Sequence, residues 1–301
     1  MSDGERGDEP QRDPVGSTPP PTGEQPDRAA KGGRFLTRYA GLPEVGWGGG
    51  MVALGVLIAA GTMLAGTIFV AIFDPSLETS AARNAAQLVV AMSLIGTALG
   101  FALFDSRGAV KEAFGKLGLG GRIAVGAIGL ALLAWLAYII FAGFLAPLLQ
   151  PDQEDVTREL GTNKDELGSI AVAAFLIVIA APLSEELFFR GFMLTRLRRV
   201  WSAGPAILLT AIAFGVIHGE WVHGVLATGI GIYLGLVTER SGSVVPAVIC
   251  HVANNTASVL LSAAIGPAQG RGLNAVLFVL TAALFAASLF RFPPRISADA
   301  R

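Results

Sequence analysis

At 301 residues, 52% hydrophobic and 15% charged, with a mean hydropathy of +0.59, the chain is too apolar for a soluble enzyme and reads as a multispanning membrane protein. The formal net charge of -1, with no basic block, argues against a nucleic-acid partner. The single Cys250 excludes an internal disulfide and lies in an apolar run, which marks it as core and not as a nucleophile.

Residues 1–33 are rich in Pro, Gly, Asp, Glu and Arg and have almost no apolar side chains to bury, so a disordered cytoplasmic tail is expected there. Its acidic, proline-rich start does not read as a secretory signal. The remainder, 34–301, reads as one membrane-embedded helical domain with a core at about 168–262. A crossing needs about 20 mostly apolar residues. That criterion predicts helices near 47–73, 85–104, 122–149, 168–190, 205–218, 224–238, 244–262 and 273–290. The expected fold is therefore all-α and polytopic, with about eight transmembrane helices and a conical cavity open to the cytoplasm.

Orientation follows from the loops, because Lys and Arg near span ends stay cytoplasmic. Arg107, Lys111, Lys116 and Arg122 follow the second span, and Arg196, Arg198 and Arg199 follow the fourth. The loop from Gln150 to Glu166 is instead dominated by carboxylates. This alternation places both termini in the cytoplasm. The Ala- and Gly-rich composition with an acidic tail reads as bacterial, which makes the inner membrane the expected location and the lipid bilayer the expected surroundings. Gly96 with Gly100, and Gly231 with Gly235, have the spacing that lets helices approach closely, although ordinary packing explains most such pairs.

Ser184-Glu185-Glu186-Leu187-Phe188-Phe189-Arg190 follows the uncharged run from Ile170 to Leu183. Ionisable groups inside a bilayer are expensive and mark function by default. Glu186 and Arg190 are four apart and share a helical face, so they are expected to pair. Glu185 is turned by roughly 100° from Glu186 and is the freer carboxylate. Phe214 to His218 ends the fifth predicted helix, and His251 with Asn255 shares one face of the seventh. Depth ties these together. If the fourth helix continues to about Arg199 and the fifth starts after Gly204-Pro205, Glu186 and His218 both lie on the order of 20 Å from the hairpin tip. Asn255 and His251 fall at about 18 and 12 Å into the seventh helix, so one cytoplasm-facing layer can hold all four groups.

The two arms 205–218 and 224–238 are each about 21 to 23 Å long at a helical rise, short of a core of about 30 Å. They read as a hairpin that turns back within the membrane, with Glu220, Trp221 and His223 as turn residues. Phe188, Phe189 and Phe214 read as packing, and the Glu186–Arg190 pair as equally compatible with a purely structural role.

A buried carboxylate is a better base near neutral pH than an exposed one. Two neutral imidazoles suit either a metal or an oriented water, and Asn255 suits a developing oxyanion. Peptide hydrolysis within the membrane uses all four groups. A proton-coupled transporter is the alternative, since carboxylates and histidines also build proton relays, but the first half holds no matching polar set. A catalytically silent membrane scaffold is the third reading.

The three motifs, Glu185-Glu186 with Arg190, Phe214 with His218, and His251 with Asn255, resemble those of the CAAX prenyl protease and bacteriocin-processing family of intramembrane proteases, also called CPBP or Abi. They occur in the family's order and cover about Ile170 to Ser262. The resemblance implies an endopeptidase with Glu185 as catalytic carboxylate, His218 and His251 as water-site partners and Asn255 at the oxyanion. Family members are commonly labelled metalloproteases, in which case Glu185, His218 and His251 would be the ligands of a Zn²⁺. That would occupy the free carboxylate, so a water activated by glutamate without metal is the favoured expectation. The substrate expected is a membrane-associated peptide or protein; prenylated substrates are not expected of a bacterial chain.

Overall fold

The computed structural model describes residues 48–119 and 167–265, with 129, 132, 135 and 136 between them. They lie within the larger, 32–301, of the two units into which the chain divides. The expected tail, the third span at 122–149 apart from those isolated positions, and the eighth span at 273–290 fall outside the described residues. Among the described residues every regular element is a helix.

Helix α1 (Gly48–Phe73) and helix α2 (Ser80–Asp105) have 26 residues each. At a rise of 1.5 Å each is about 39 Å long, enough to cross a core of about 30 Å. Their turn is held by Asp74, whose carboxylate accepts from the Ser76 hydroxyl at 2.8 Å and the Thr79 hydroxyl at 2.7 Å. Thr79 in turn caps α2 by accepting from the Ala82 amide at 3.1 Å. Leu57, Leu64, Phe69, Ile72 and Phe73 of α1 are exposed, an apolar face that water would not tolerate and lipid would. A short helix not expected from sequence, α3 (Val110–Lys116), follows in the basic loop. Its Lys116 is buried, pairs with Glu112 at 3.2 Å and donates to the Asp105 carbonyl.

Helix α4 runs continuously over 167–200, and every residue from Glu186 to Arg198 on it is buried. It passes the predicted end at residue 190 and reaches the neighbourhood of Arg199, as the depth comparison requires. It is not a uniform α-helix: Leu176–Ala180 and Leu187–Leu194 are π-helical and flank the α-helical turn Ala181–Glu186. Such π-turns mark functional segments. At its charged end Arg196 pairs with Asp105 of α2 at 2.6 Å. Arg198 there forks onto Glu239 at 3.0 and 2.8 Å.

Helix α5 (Ala203–Val216), helix α6 (Trp221–Ser241) and helix α7 (Val245–Ile265) complete the described core. Helix α5 is short, as expected. Helix α6 is not: its 21 residues give about 32 Å, so the reading of two equally short arms is corrected for the second. The physical reason lies at its ends. The Glu220 carboxylate accepts from the Val222 and His223 amides at 3.0 and 2.8 Å and starts the helix before Gly224. Gly242, at φ 66°, ends it beyond Thr238.

The α5–α6 hairpin is closely packed because small residues line it. A Cβ on Gly215 would come within 2.1 Å of Thr228 Oγ1 and 2.4 Å of the Gly224 carbonyl oxygen. One on Gly235 would meet Ile207 at 2.9 Å. Helix α4 packs against α2, α5 and α7, so its middle is enclosed on several sides. Among the described residues four helices are long and apolar enough to cross a membrane: Gly49–Phe73, Ser80–Asp105, Gly168–Val200 and Trp221–Ser241. This is an integral membrane protein by length and composition of its helices.

Candidate functional site

Successive carboxylates on α4 are separated by one residue of helical rotation, and the structure treats them differently. Glu186 is wholly buried, whereas the Glu185 side chain keeps 12% of its surface exposed. Glu186 Oε1 receives Arg190 Nη1 at 2.5 Å, the i,i+4 pair expected from spacing. Arg190 is also wholly buried, donates to the Gly231 carbonyl of α6 at 3.1 Å and lies 4.7 Å from the centroid of the Phe214 ring. An uncompensated buried charge is costly, and this guanidinium meets a carboxylate, a carbonyl and a π face.

His251 on α7 stands between the two carboxylates. Its Nδ1 is 2.9 Å from Glu186 Oε1, and its Nε2 is 3.6 Å from Glu185 Oε2. A carboxylate can only accept, so Nδ1 carries a proton, and Nε2 is the nitrogen that faces Glu185. The second distance exceeds a direct hydrogen bond, and a water beside the pair can reach both groups.

His218 does not end α5 as expected from sequence. The helix stops at Val216, and His218 lies in the turn that Gly219 completes at φ 73°. Its Nδ1 donates to the Phe214 carbonyl at 2.8 Å, which again leaves Nε2 as the free nitrogen. Phe214 is the part that the sequence understated. Its ring takes both imidazoles edge to face, His218 at 5.0 Å and His251 at 5.6 Å between centroids, and Phe189 at 5.3 Å. The Phe-x-x-x-His spacing was the available signal, but nothing in it announces contacts to a third helix. His223, read as a turn residue, is on the first turn of α6 with its ring centroid 4.5 Å from that of His218.

Asn255 is on α7 one turn beyond His251 and half-buried. Its Nδ2 donates to the Ile177 carbonyl at 2.9 Å, and its Oδ1 accepts from Asn254 Nδ2 at 3.2 Å. One amide N–H is left over. The structure therefore brings Glu185, Glu186, Arg190, His251 and Phe214 together by direct contact, joins His218 to them through Phe214, and places Asn255 one helical turn from His251.

Among the described residues, no three His, Cys, Asp or Glu side chains converge as a metal ion would need. The set of Glu185, His218 and His251 does not form a preassembled zinc cage in this arrangement.

Residues 167–257 match the family model described as type II CAAX prenyl endopeptidase Rce1-like. That span contains all three motifs, so the resemblance read from them is borne out there. The chain is also similar to an uncharacterized 24.3 kDa protein of Escherichia coli, at 28% identity over 142 residues. The match covers 44% of this chain and 64% of that protein, slightly under two thirds of its length. No solved structure matches.

Proposed function

We propose that the protein is an intramembrane endopeptidase that hydrolyses a peptide bond of a membrane-associated peptide or protein. The observation that carries this reading is the placement of His251 Nε2 at 3.6 Å from the Glu185 carboxylate, with its other nitrogen fixed by Glu186. Two basic groups this close can both reach one water that sits beside them, which suits them to activate it.

In this mechanism a water held between Glu185 and His251 gives one proton to Glu185 while its oxygen attacks the scissile carbonyl carbon. The oxygen of that carbonyl takes up the negative charge, and the remaining N–H of Asn255 stabilises it, while His218, whose free Nε2 accepts, helps to orient the water. Collapse breaks the C–N bond, and Glu185 passes its proton to the departing amine. The new carboxyl group still carries the water's second proton, which Glu185 relays to the amine in turn, so that the products are a carboxylate and an ammonium. Glu186 and Arg190 touch no reacting atom; they hold His251 in one tautomer.

The same reading includes about eight crossings around a cavity open to the cytoplasm, with both termini on that side in a bacterial inner membrane. The apolar surface around the site, with Val216, Ile217 and Trp221 exposed beside His218, suits a substrate arriving from lipid.

The test uses the full chain reconstituted in liposomes with two fluorophore–quencher probes, a farnesylated Cys-aliphatic-aliphatic-X peptide and an unlipidated transmembrane peptide. Cleavage of either, abolished by Glu185→Gln, His218→Ala and His251→Ala in folded protein, supports the protease. Proton flux without cleavage, lost in the same variants, supports the transporter instead. Metal analysis of the same preparation decides between glutamate-only and zinc-assisted activation.

A further inference from the structure

Proline in the interior of a helix removes one backbone donor. Pro182 does so on α4 immediately before the turn that carries Glu185. The effect falls on Ile177. In a π-turn its carbonyl would accept from residue 182, which is Pro182 and has no N–H, and in an α-turn from Ala181. Ala181 donates instead to Leu176, which leaves Ile177 without either usual donor. Asn255 fills the gap from α7, its Nδ2 donating to the Ile177 carbonyl at 2.9 Å. The second π segment is closed in the same manner, with the Thr195 hydroxyl donating to the Arg190 carbonyl at 3.0 Å.

We propose that Pro182 is a positioning residue that acts through Asn255: by denying the Ile177 carbonyl a backbone partner, it creates the acceptor that fixes the orientation of the Asn255 amide. The consequence is directional. With Oδ1 taken by Asn254 and one N–H by Ile177, only the second N–H of Asn255 is left to face a substrate. An unclamped asparagine is free to flip and present its oxygen, which repels a developing oxyanion. The clamp also ties α7 to α4 next to the catalytic turn. This inference rests on the endopeptidase reading for its kinetic arm only; the clamp itself is a matter of stability.

Pro182→Ala returns an N–H that competes with Asn255 for the Ile177 carbonyl. In the full chain in detergent, Asn255→Ala should lower the unfolding midpoint by a few degrees, because it strands a half-buried carbonyl. In a Pro182→Ala background that shift should shrink toward zero. Should Pro182→Ala not fold, Pro182→Ser restores the same N–H. On the probe that the wild-type protein cleaves, Pro182→Ala should lower kcat on the order of tenfold with KM unchanged, as loss of an orienting partner does. It should have no further effect once Asn255 is Ala. Equal midpoint shifts for Asn255→Ala in both backgrounds overturn the clamp whatever the protein cleaves. A coupled midpoint shift in a protein that cleaves neither probe leaves the clamp standing and removes the protease reading. A kcat effect of Pro182→Ala that is undiminished in Asn255→Ala also overturns the proposal.

Discussion

His251 Nδ1 lies 2.9 Å from Glu186 Oε1, so a histidine on α7 is oriented by a carboxylate 65 residues earlier that the sequence had assigned only to an ion pair. Glu186 thus serves two partners with one oxygen, because Arg190 reaches the same atom at 2.5 Å. The other oxygen, Oε2, and Arg190 Nε have no partner among the described residues. The pair is structural and it also aims the imidazole, two roles that the sequence reading treated as alternatives.

That arrangement predicts an asymmetry between the adjacent glutamates. Removing one member of a buried pair strands the other charge and costs about 3–5 kcal/mol. Glu186→Ala and Arg190→Ala should each lose that much in denaturant unfolding, and the double variant should lose less than their sum. Glu185→Gln should unfold close to wild type, since its carboxylate makes no direct hydrogen bond among the described residues. A Glu185→Gln loss as large as that of Glu186→Ala would contradict the division of labour.

Much of this site was legible because α-helical spacing is local. Glu186 with Arg190 and His251 with Asn255 could be placed on shared faces by counting four, and the length of α4 by matching depth across the Gly204-Pro205 turn. Contacts between helices could not be counted out. The approach of His251 to Glu186 depends on how α7 packs against α4, and that of His223 to His218 on the cap by Glu220 that starts α6 early. The π-turns were visible only as Pro182, a residue whose missing donor has meaning once the neighbour that replaces it is known. Helix α3 was hidden because a seven-residue helix in a basic loop carries no apolar period long enough to read.

Glycine spacing gives a second test of what sequence can and cannot say. Gly231 with Gly235 and Gly96 with Gly100 look alike on paper, yet among the described residues only the first pair faces another helix at close range. A Cβ at Gly100 meets none of the described residues within 4 Å, so Gly100→Ala should be neutral or stabilising by about 0.5–1 kcal/mol through helix propensity. Gly215→Ala should destabilise by about 1–3 kcal/mol, because the new methyl collides with backbone of α6 at Gly224 as well as with Thr228. Thermal unfolding of the two variants in one detergent checks the sign of each.

Asp74, in the α1–α2 turn, gives a pH dependence that is independent of the site. The Thr79 hydroxyl, then the Ser76 hydroxyl and the Thr79 amide, hold its carboxyl down from 3.8 to about 2. A group depressed in the folded state stabilises above its unfolded pKa and loses that contribution as pH falls through the folded one. The difference in unfolding midpoint between wild type and Asp74→Asn should therefore be constant near neutral pH and shrink as pH falls below about 4. A difference that grows on acidification would show that the turn is held by something else.

The two nitrogens of His218 can be tested separately, because asparagine and glutamine each place an amide near one of them. His218 Nδ1 is committed to the Phe214 carbonyl at 2.8 Å, and a part that only holds the turn would need nothing more. His218→Asn supplies a donor close to Nδ1 and nothing at Nε2, so it should keep the unfolding midpoint near wild type. Its cleavage should still fall by about 10² to 10⁴, the range for a lost acid–base or hydrogen-bonding group. His218→Gln reaches farther, toward the Nε2 position, at the expense of the Phe214 contact. It should be the less stable of the two and the more active, provided that Nε2 faces the attacking water. If His218→Asn retains wild-type cleavage, the imidazole contributes to the turn alone, and orienting the water falls to Glu185 and His251.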